Sequence, residues 1–381
     1  MSLPTQFPAV RITRIETLHL RPRWLVVRLH TDAGITGLGE ATLEGRSLTV
    51  ETALHEMGRW LIGQDPRRIE YIWQYLYRGP FYRGGPVLSS ALSGIDQALW
   101  DILGRHLNAP VHQLLGGTVR ERIRLYGWVN VTTTGDYIES AARLAAQQKF
   151  TAFKCTVTDA MRPLESQAQV AAAAERFHAL RQRLGPGIDI GVDLHGRCTP
   201  AVSRQIAAAL EPDHPLFLEE PVLGDDPAAL RDLAASTRIP LATGERLYTR
   251  WQFQDLIAQR AVAVVQPDVA HAGGISELRR IAAAAEARDI AFAPHCPLGP
   301  VALASCLHLA AATPNFLCQE HVTLGETLLV QPFQVVDGFV TIPDGPGLGI
   351  ELDEAKVAAQ RFDGQWDAPT WRHADGGFAE W

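Results

Sequence analysis

Residues 188–222, IDIGVDLHGRCTPAVSRQIAAALEPDHPLFLEEPV, contain the pattern that decides the fold. An apolar run ends at Asp193, an alanine-rich amphipathic segment follows over residues 200–210, and a second apolar run ends at Glu219. A short apolar run followed by a helical period is typical of a strand and of the helix that leads to the next parallel strand. The stretch therefore predicts a strand–helix–strand unit.

The same unit recurs on both sides of this stretch. Its apolar runs are FTAFKCTV (150–157), IPLATGERL (239–247), AVAVVQPDVA (261–270), IAFAPHCPLG (290–299) and NFLCQEHV (315–322). Most of these runs are followed by an amphipathic segment. Strand–helix units in a series of this length predict a parallel sheet that closes into a barrel. We place this barrel at residues 124–341.

The residues before the barrel have a different pattern. RITRIETLHL (11–20), WLVVRLH (24–30) and ITGLGEA (35–41) are typical of three strands in an antiparallel meander, and the pattern turns helical from Thr49 to Arg105. We therefore predict an α+β domain over residues 1–123. The final segment, residues 342–381, loses the strand–helix alternation and is expected to pack back on this domain.

Composition and charge narrow the possible functions. The net charge of −7 gives no basic surface for nucleic acid, and no window of about 18 apolar residues could span a membrane. The five cysteines are odd in number and show no CxxC spacing, which argues against a disulfide framework or a structural zinc site. The same cysteine pattern argues for a reducing compartment, so we predict a cytoplasmic protein, and no signal peptide is visible.

Polar residues stand at the C-terminal ends of the predicted strands. In a barrel these ends meet on one face, where active sites form. From residue 193 onward they recur every 23–27 residues, about the length of one strand–helix unit. We therefore expect one site to contain Lys154, Asp193, His195, Glu219, Glu245, Asp268, His295 and Glu320.

Three of these residues are carboxylates on successive strands. Asp193, Glu219 and Glu245 would form a group of hard oxygen ligands, which suits Mg²⁺. A lone carboxylate at such a position is more often a helix cap or the partner of an arginine. Three at matched spacing, each after an apolar strand, favour a metal site.

The two histidines at strand ends suggest acid–base chemistry. Asp268 and His295 end consecutive strands, and a carboxylate beside an imidazole fixes its tautomer and raises its basicity. His195 lies two residues after Asp193, so on a continuing strand both side chains would point toward the barrel mouth. We interpret His295 as a general base and His195 as a general acid. His271 also lies near a strand end and is interpreted as structural.

These motifs resemble those of the enolase superfamily and, within it, the mandelate racemase subgroup. The resemblance rests on VDLHGR, FLEEPV, ATGERL, VVQPDVAHAGGI, APHCPLGP and CQEH, and it extends over nearly the whole chain. It implies a modified (β/α)7β barrel under an α+β capping domain that both chain ends build. The matching positions are the Mg²⁺ ligands Asp193, Glu219 and Glu245, the base pair Asp268 and His295, and Glu320, which would hydrogen-bond the substrate carboxylate.

Longer stretches, including PRWLVVRLHTDAGITGLGEA (22–41) and RGPFYRGGP (78–86), resemble the D-galactonate dehydratase family more closely still. The motif of that family pairs the first metal ligand with a histidine, as Asp193 and His195 are paired here. The resemblance implies that the cap loops close over the substrate. The substrate-binding residues predicted in this way are Lys154 and Glu320 at the carboxylate end, and Arg23, Trp24, Arg46 and Tyr82 from the cap.

One position departs from the racemase pattern. Racemases carry Lys-x-Lys after the second barrel strand, and the second lysine is a base on the opposite face of the substrate. Here the run is Lys154-Cys155-Thr156, so that base is missing. A base on one side only is what a dehydratase needs.

The resemblance therefore implies Mg²⁺-dependent dehydration of an aldonic acid, with D-galactonate favoured, to the 2-keto-3-deoxy acid. His295 would remove the C2 proton, and His195 would protonate the departing 3-hydroxyl. The residues leave open another aldonate such as gluconate or arabinonate, a racemase or cycloisomerase, and a catalytically silent protein on the same fold. The expected partner is an anionic sugar acid, and the resemblance also implies a homo-oligomer.

Overall fold

A computed structural model describes residues 9–130, 137–224 and 226–381. The chain forms a parallel barrel with an α+β capping domain in front of it, so the fold class expected from the sequence is confirmed. In the part of the chain that the structure describes, no helix is both long enough and apolar enough to cross a membrane.

The capping domain begins with an antiparallel sheet of three strands, β1 (Ile12–Leu20), β2 (Trp24–Thr31) and β3 (Thr36–Glu40). Gly37 and Gly39 allow β3 to lie against the backbone of the helix Gly85–Leu107. A side chain at either position would collide with main-chain atoms of that helix. The helices of this domain are α1 (Ser47–Leu61), α2 (Ile69–Arg78), α3 (Gly85–Leu107) and α4 (Val111–Leu114).

The barrel follows a short strand, β4 (Arg122–Arg124). Its helices begin at residues that favour helix starts: Ser166, Thr199 and Asp226 each accept a hydrogen bond from a backbone N–H of the first turn. The barrel elements are β5 (Gly127–Asn130), α5 (Tyr137–Gln148), β6 (Ala152–Thr156), α6 (Gln167–Leu184), β7 (Asp189–Asp193), α7 (Pro200–Leu210), a 3-10 turn (Glu211–Asp213), β8 (Leu218–Glu219), α8 (Pro227–Ala234), β9 (Leu241–Thr243), α9 (Arg250–Gln259), β10 (Val264–Val265), α10 (Gly274–Glu286), β11 (Ala291–Phe292) and α11 (Pro300–Ala312).

The barrel strands are parallel and adjacent in chain order from β5 to β11. The segment after α11 closes the barrel as an eighth position. Phe316 pairs with Phe292 of β11, and Gln319 pairs with Leu125 just before β5, both in parallel. This closure brings Glu320 beside the first strands, although it is far from them in sequence.

The C-terminal segment contacts both domains. Strands β12 (Val335–Val336) and β13 (Phe339–Thr341) form a small sheet with β4, and α12 (Glu354–Gln360) follows. The loop between β13 and α12 contacts the cap, where Asp101 in α3 accepts a hydrogen bond from the N–H of Leu348. The last strands, β14 (Trp371–Arg372) and β15 (Phe378–Ala379), form a hairpin.

Two buried carboxylates of the cap contact the starts of two barrel helices. Glu40, at the end of β3, accepts hydrogen bonds from the N–H groups of Gly299 (2.7 Å) and Ala302 (3.0 Å) at the start of α11. Asp96 in α3 accepts one from the N–H of Ser276 in α10 at 2.9 Å. Helix N-termini carry unpaired N–H groups and partial positive charge, so these contacts join cap and barrel. Burial, partly opposed by these hydrogen bonds, raises the pKa of Glu40 to about 7.

Replacing Glu40 with alanine is expected to lower the free energy of unfolding by about 2–4 kcal/mol, because two buried N–H groups at the start of α11 lose their acceptor. Glu40→Gln should have a smaller effect, since its amide keeps one acceptor oxygen. Urea denaturation of both variants measures the change. The control is Glu56→Ala, which removes an exposed carboxylate of α1. A loss in Glu40→Ala no larger than in this control would contradict the assigned role.

Candidate active site

The strand ends carry the predicted polar residues to one face of the barrel. Asp193 and Glu219 occupy paired positions at the ends of β7 and β8. Asp268 and His295 pair in the same way beyond β10 and β11. Equal spacing in sequence has therefore become the same height on neighbouring strands.

Lys154 lies at the base of the site and is almost fully buried. Its Nζ is 2.7 Å from Oε1 of Glu219 and 2.8 Å from Oε1 of Glu320. Glu320 also accepts hydrogen bonds from the Trp128 indole (2.6 Å) and from the N–H of Cys296 (2.9 Å). Burial alone would raise the pKa of Glu320, but Lys154 and His295 outweigh it and lower the pKa to about 2. Glu320 is thus a fixed carboxylate.

His295 has the geometry of an oriented base. Its Nδ1 is 2.8 Å from Oδ2 of Asp268, and its Nε2 is directed into the site, 3.2 Å from Oε2 of Glu245. Burial would lower the pKa of His295, but the charges of Glu245, Glu320 and Asp268 outweigh it and raise the pKa well above its usual value. The surroundings therefore favour the imidazolium that forms when this ring accepts a proton.

His195 lies on the other side of Glu245. Its Nε2 is 3.7 Å from Oε1 of Glu245, whereas His295 approaches the second oxygen of the same carboxylate. The backbone of His195 is left-handed, with φ of 55°, and its N–H donates to Oδ1 of Asp193 at 2.7 Å. This turn after β7 aims the imidazole into the barrel mouth. The two rings thus present Nε2 atoms to one cavity from different sides.

The cavity between barrel and cap has a volume of about 520 Å³. On its cap side, Arg23 is 3.6 Å from Oε1 of Glu44, and Nε2 of His271 is 3.6 Å from Oε2 of Glu44. Burial would raise the pKa of Glu44, but His271 and Arg23 outweigh it and lower the pKa to about 2. The cap thus gives the cavity a charged donor, Arg23, and a fixed acceptor, Glu44, which His271 of the barrel also contacts.

The structure brings together only part of the predicted set. The strand-end residues and Arg23 line the cavity, except Glu219 and Asp268, which lie behind its wall. The other cap residues lie elsewhere: Trp24 is buried in the core, Arg46 is exposed and bonds to the carbonyl of Gly45, and Tyr82 is exposed beside Phe81.

Several cavity residues were not singled out from the sequence as binding residues. Glu44 lies in the cap loop that was expected to close over the substrate, so a carboxylate there was a usable signal. His271 was interpreted as structural, yet it lines the cavity. Trp371, Glu380 and Trp381 come from the C-terminal segment, where no periodic pattern indicated a contact with the barrel.

The acidic residues of the site fit a divalent cation by their chemistry. Burial and the nearby charges of Asp193, Glu320 and Glu245 raise the pKa of Glu219 to about 8, despite the opposing Lys154. Oε2 of Glu245 is buried and makes no hydrogen bond within the described residues, although His295 is close. A cation would relieve both the repulsion and the unpaired oxygen.

The ligands do not yet stand as a coordination shell. Among residues 9–130, 137–224 and 226–381, no three His, Cys, Asp or Glu side chains form a group that could hold a metal ion. Both oxygens of Glu219 already have donors, which are Nζ of Lys154 and, at 2.7 Å, Nε2 of Gln266. A cation at the predicted ligands would therefore share Glu219 with these donors or displace one of them.

A closed parallel barrel with acids and an oriented histidine at its strand ends, beneath an α+β cap, points to the enolase class of proteins, whose sites use a histidine or lysine base. Residues 136–356 match the Enolase C-terminal domain-like family, and residues 8–116 match the Mandelate racemase / muconate lactonizing enzyme N-terminal domain. The chain belongs to the mandelate racemase and muconate lactonizing enzyme family of the enolase superfamily. The resemblance noted in the sequence is thereby confirmed.

Curated relatives match over almost the whole chain. The D-galactonate dehydratase of Variovorax paradoxus (strain S110) is 46% identical over 383 residues, covering 98% of this chain and 100% of the relative. The D-galactonate dehydratases of Ralstonia nicotianae (strain ATCC BAA-1114 / GMI1000) and Cronobacter sakazakii (strain ATCC BAA-894) are each 45% identical, with the same coverage.

Solved structures agree in fold. An enolase from Agrobacterium radiobacter, whose structure contains sodium and L-malate, superposes with a TM-score of 0.90 at 32% identity, covering 97% of this chain and 100% of that one. A mandelate racemase/muconate lactonizing enzyme from Jannaschia sp. CCS1 has a TM-score of 0.87 at 33% identity, covering 92% and 98%.

Proposed function

We propose that this protein is a hydro-lyase that dehydrates D-galactonate to the 2-keto-3-deoxy acid. The observation that carries the proposal is the placement of two imidazole Nε2 atoms on either side of Glu245, facing one cavity. With two such groups, one can remove a proton while the other protonates a leaving hydroxyl on the same substrate. The relatives of 45–46% identity named D-galactonate dehydratase support this substrate.

Asp193, Glu219 and Glu245 are the residues that would hold Mg²⁺, a hard cation that prefers oxygen ligands. When bound, Mg²⁺ would supply Lewis acidity that stabilises negative charge on the substrate carboxylate. Enolase-superfamily sites commonly combine a histidine or lysine base with one or two Mg²⁺ ions, and the acidic excess of this site supports the same cofactor here.

His295 takes the C2 proton through Nε2, while Asp268 holds Nδ1 and keeps the ring oriented. The electrons of the C2–H bond move toward the carboxylate end of the substrate, where the Lys154 ammonium adds positive charge. His195 then gives a proton to the 3-hydroxyl, the C3–O bond breaks, and water leaves. The remaining enol takes up a proton at C3 and releases the proton of its 2-hydroxyl, which gives the 2-keto-3-deoxy acid, so the net change is the loss of one water.

The cap side of the cavity offers groups that could hold the hydroxyls of the sugar chain. Arg23 can donate and Glu44 can accept, and both belong to loops that follow cap strands. These are the groups we propose to distinguish D-galactonate from other aldonates, because the strand-end residues are the ones that we assign to the reacting end. Location in the cytoplasm and assembly into a homo-oligomer stay predictions from the sequence.

Incubating the purified protein with Mg²⁺ and a panel of aldonates is expected to yield the 2-keto-3-deoxy acid from D-galactonate, because that substrate fits the class of the relatives. The measurement is the keto acid formed with galactonate, gluconate and arabinonate. Excess EDTA should reduce the rate to background, and added Mg²⁺ should restore it.

The outcomes of this assay separate the chemistry from the substrate. Turnover of another aldonate in place of D-galactonate would keep the acid–base roles and reject the substrate. Turnover that EDTA does not affect would reject the metal. No product from any member of the panel would reject the dehydratase activity itself.

A further inference from the structure

Trp371, Glu380 and Trp381 of the C-terminal segment form one wall of the active-site cavity. Strands β14 and β15 pair as a hairpin, and the two residues after it, Glu380 and Trp381, line the same cavity as His195. We call residues 366–381 the tail. The tail is the part of the C-terminal segment that reaches the barrel mouth.

The main-chain oxygen of Trp381 is 2.6 Å from Nδ1 of His195. A main-chain oxygen can only accept a hydrogen bond, so Nδ1 must carry the proton in this contact. The free nitrogen is then Nε2, which faces the cavity and Glu245. The indole of Trp381 also packs edge-on against the imidazole, with ring centroids 5.7 Å apart and planes at 84°.

This contact is the one hydrogen bond that the His195 ring makes within the described residues. The other bonds of this residue hold its backbone: its N–H donates to Asp193, and its carbonyl accepts from Arg246 at 3.0 Å. His295, by contrast, is oriented by Asp268 from the neighbouring barrel strand. The base is therefore positioned by the barrel itself, whereas the acid is positioned by the tail.

The tail is held at the mouth by cation–π contacts on both domains. The guanidinium of Arg197, on the barrel side, lies 4.1 Å from the ring centroid of Trp371. The guanidinium of Arg23, on the cap side, lies 5.1 Å from the ring of Trp366, which in turn packs against Trp381 at 6.4 Å. A guanidinium over an aromatic ring is attracted by the negative face of the ring. The position of Trp381 thus depends on both domains.

We propose that Trp381 is a positioning residue for the acid step of the reaction, an inference that rests on the proposed function. Its main-chain oxygen holds His195 in the tautomer protonated on Nδ1, which leaves Nε2 to carry and deliver the proton to the departing hydroxyl. When Nε2–H transfers its proton and the C3–O bond breaks, the neutral ring keeps its hydrogen bond to Trp381. Loss of a partner that orients a metal-ligating histidine costs ~10- to 100-fold in activity, and we expect an effect of that size for this oriented acid.

Three variants separate the oxygen from the ring and from the hairpin. A chain shortened to end at Glu380 lacks both the oxygen and the indole, while Trp381→Ala keeps the oxygen. Phe378→Ala is the control, because Phe378 is an exposed side chain of β15 that does not line the cavity. Unfolding temperature checks that all three retain the fold.

The first readout is the ¹⁵N NMR spectrum of the histidine rings, with the His195 signals assigned by their loss in His195→Asn. We expect the full chain and Phe378→Ala to show His195 protonated on Nδ1, and the shortened chain to lose this single tautomer. An unchanged His195 signal in the shortened chain would overturn the proposal. This readout needs neither substrate nor metal, so it stands apart from the proposed function.

The second readout compares two rates in D₂O with D-galactonate and Mg²⁺. The shortened chain should lose dehydration by ~10- to 100-fold, while exchange of the C2 proton changes by less than about threefold, because the base is untouched. The dehydration rate of Trp381→Ala should lie between those of the shortened chain and the full chain.

Equal losses in both rates would overturn the proposal, since they would indicate a general loss of the site. If the full chain showed neither rate, the proposed function would fail, and the NMR result alone would decide the role of Trp381.

Discussion

Replacing His295 with asparagine is expected to abolish both dehydration and exchange of the C2 proton. Within the described residues, the imidazoles paired with Glu245 are those of His195 and His295, and the ring of His295 is the one that Asp268 orients. Asparagine at position 295 cannot accept the proton. General-base catalysis contributes about 10²–10⁴-fold to the rate. The dehydration rate should therefore be lower than that of the unmodified protein by a factor in this range. Proton NMR in D₂O follows the C2 signal, and a keto-acid assay follows the product.

The matched control is His178→Asn, which makes the same change on the exposed face of α6. It should keep both rates within about twofold. If His295→Asn still exchanged the C2 proton at the normal rate, the base would have to be another group. Lys154 would then be the next candidate to test, since it lines the same cavity as His295.

Replacing His195 with asparagine is expected to separate the two halves of the reaction. The C2 proton should still exchange, because His295 and Asp268 are unchanged. Dehydration should fall by about 10²–10⁴-fold, because the 3-hydroxyl leaves poorly without a proton. The same pair of measurements applies, and the diagnostic result is the ratio of exchange to product rather than either rate alone.

A normal dehydration rate in His195→Asn would show that the acid is misassigned. A loss of both rates would mean that His195 takes part in binding or in the first step, and would equally reject the division of roles. His271→Asn is the useful comparison, because that ring lines the cavity on the side of His295 and Glu44. It should alter the preference among aldonates more than the exchange-to-product ratio.

The strand-end residues could be found from the sequence because the barrel converts regular spacing into proximity. Asp193 and Glu219 each follow an apolar run, and the parallel register places them side by side. The pairing of Asp268 with His295 follows in the same way. The pattern did not predict the hydrogen-bond partners of these side chains. Glu219 accepts hydrogen bonds from Lys154 and Gln266, because buried carboxylates need donors.

The cap residues could not be found in the same way. Arg23 and Trp24 are neighbours, yet Arg23, in the turn before β2, lines the cavity, whereas Trp24, the first residue of β2, is buried in the core. Whether a loop residue faces the barrel depends on how the two domains dock, which no local pattern encodes. Arg46 and Tyr82 are exposed, whereas Glu44, two residues from Arg46, lines the cavity. No local pattern separates these positions.

The joint between cap and barrel limits how new substrate preferences can be engineered into this scaffold. Glu40 and Asp96 belong to the cap but complete the first turns of two barrel helices. A chimera that receives a whole cap from another protein must therefore bring both carboxylates in register, or leave buried N–H groups without acceptors. Exchanging single loops, such as the one that carries Glu44, leaves that joint intact. Grafting single loops should accordingly change the substrate preference of this chain and keep its fold. Grafting a whole domain should yield unstable protein.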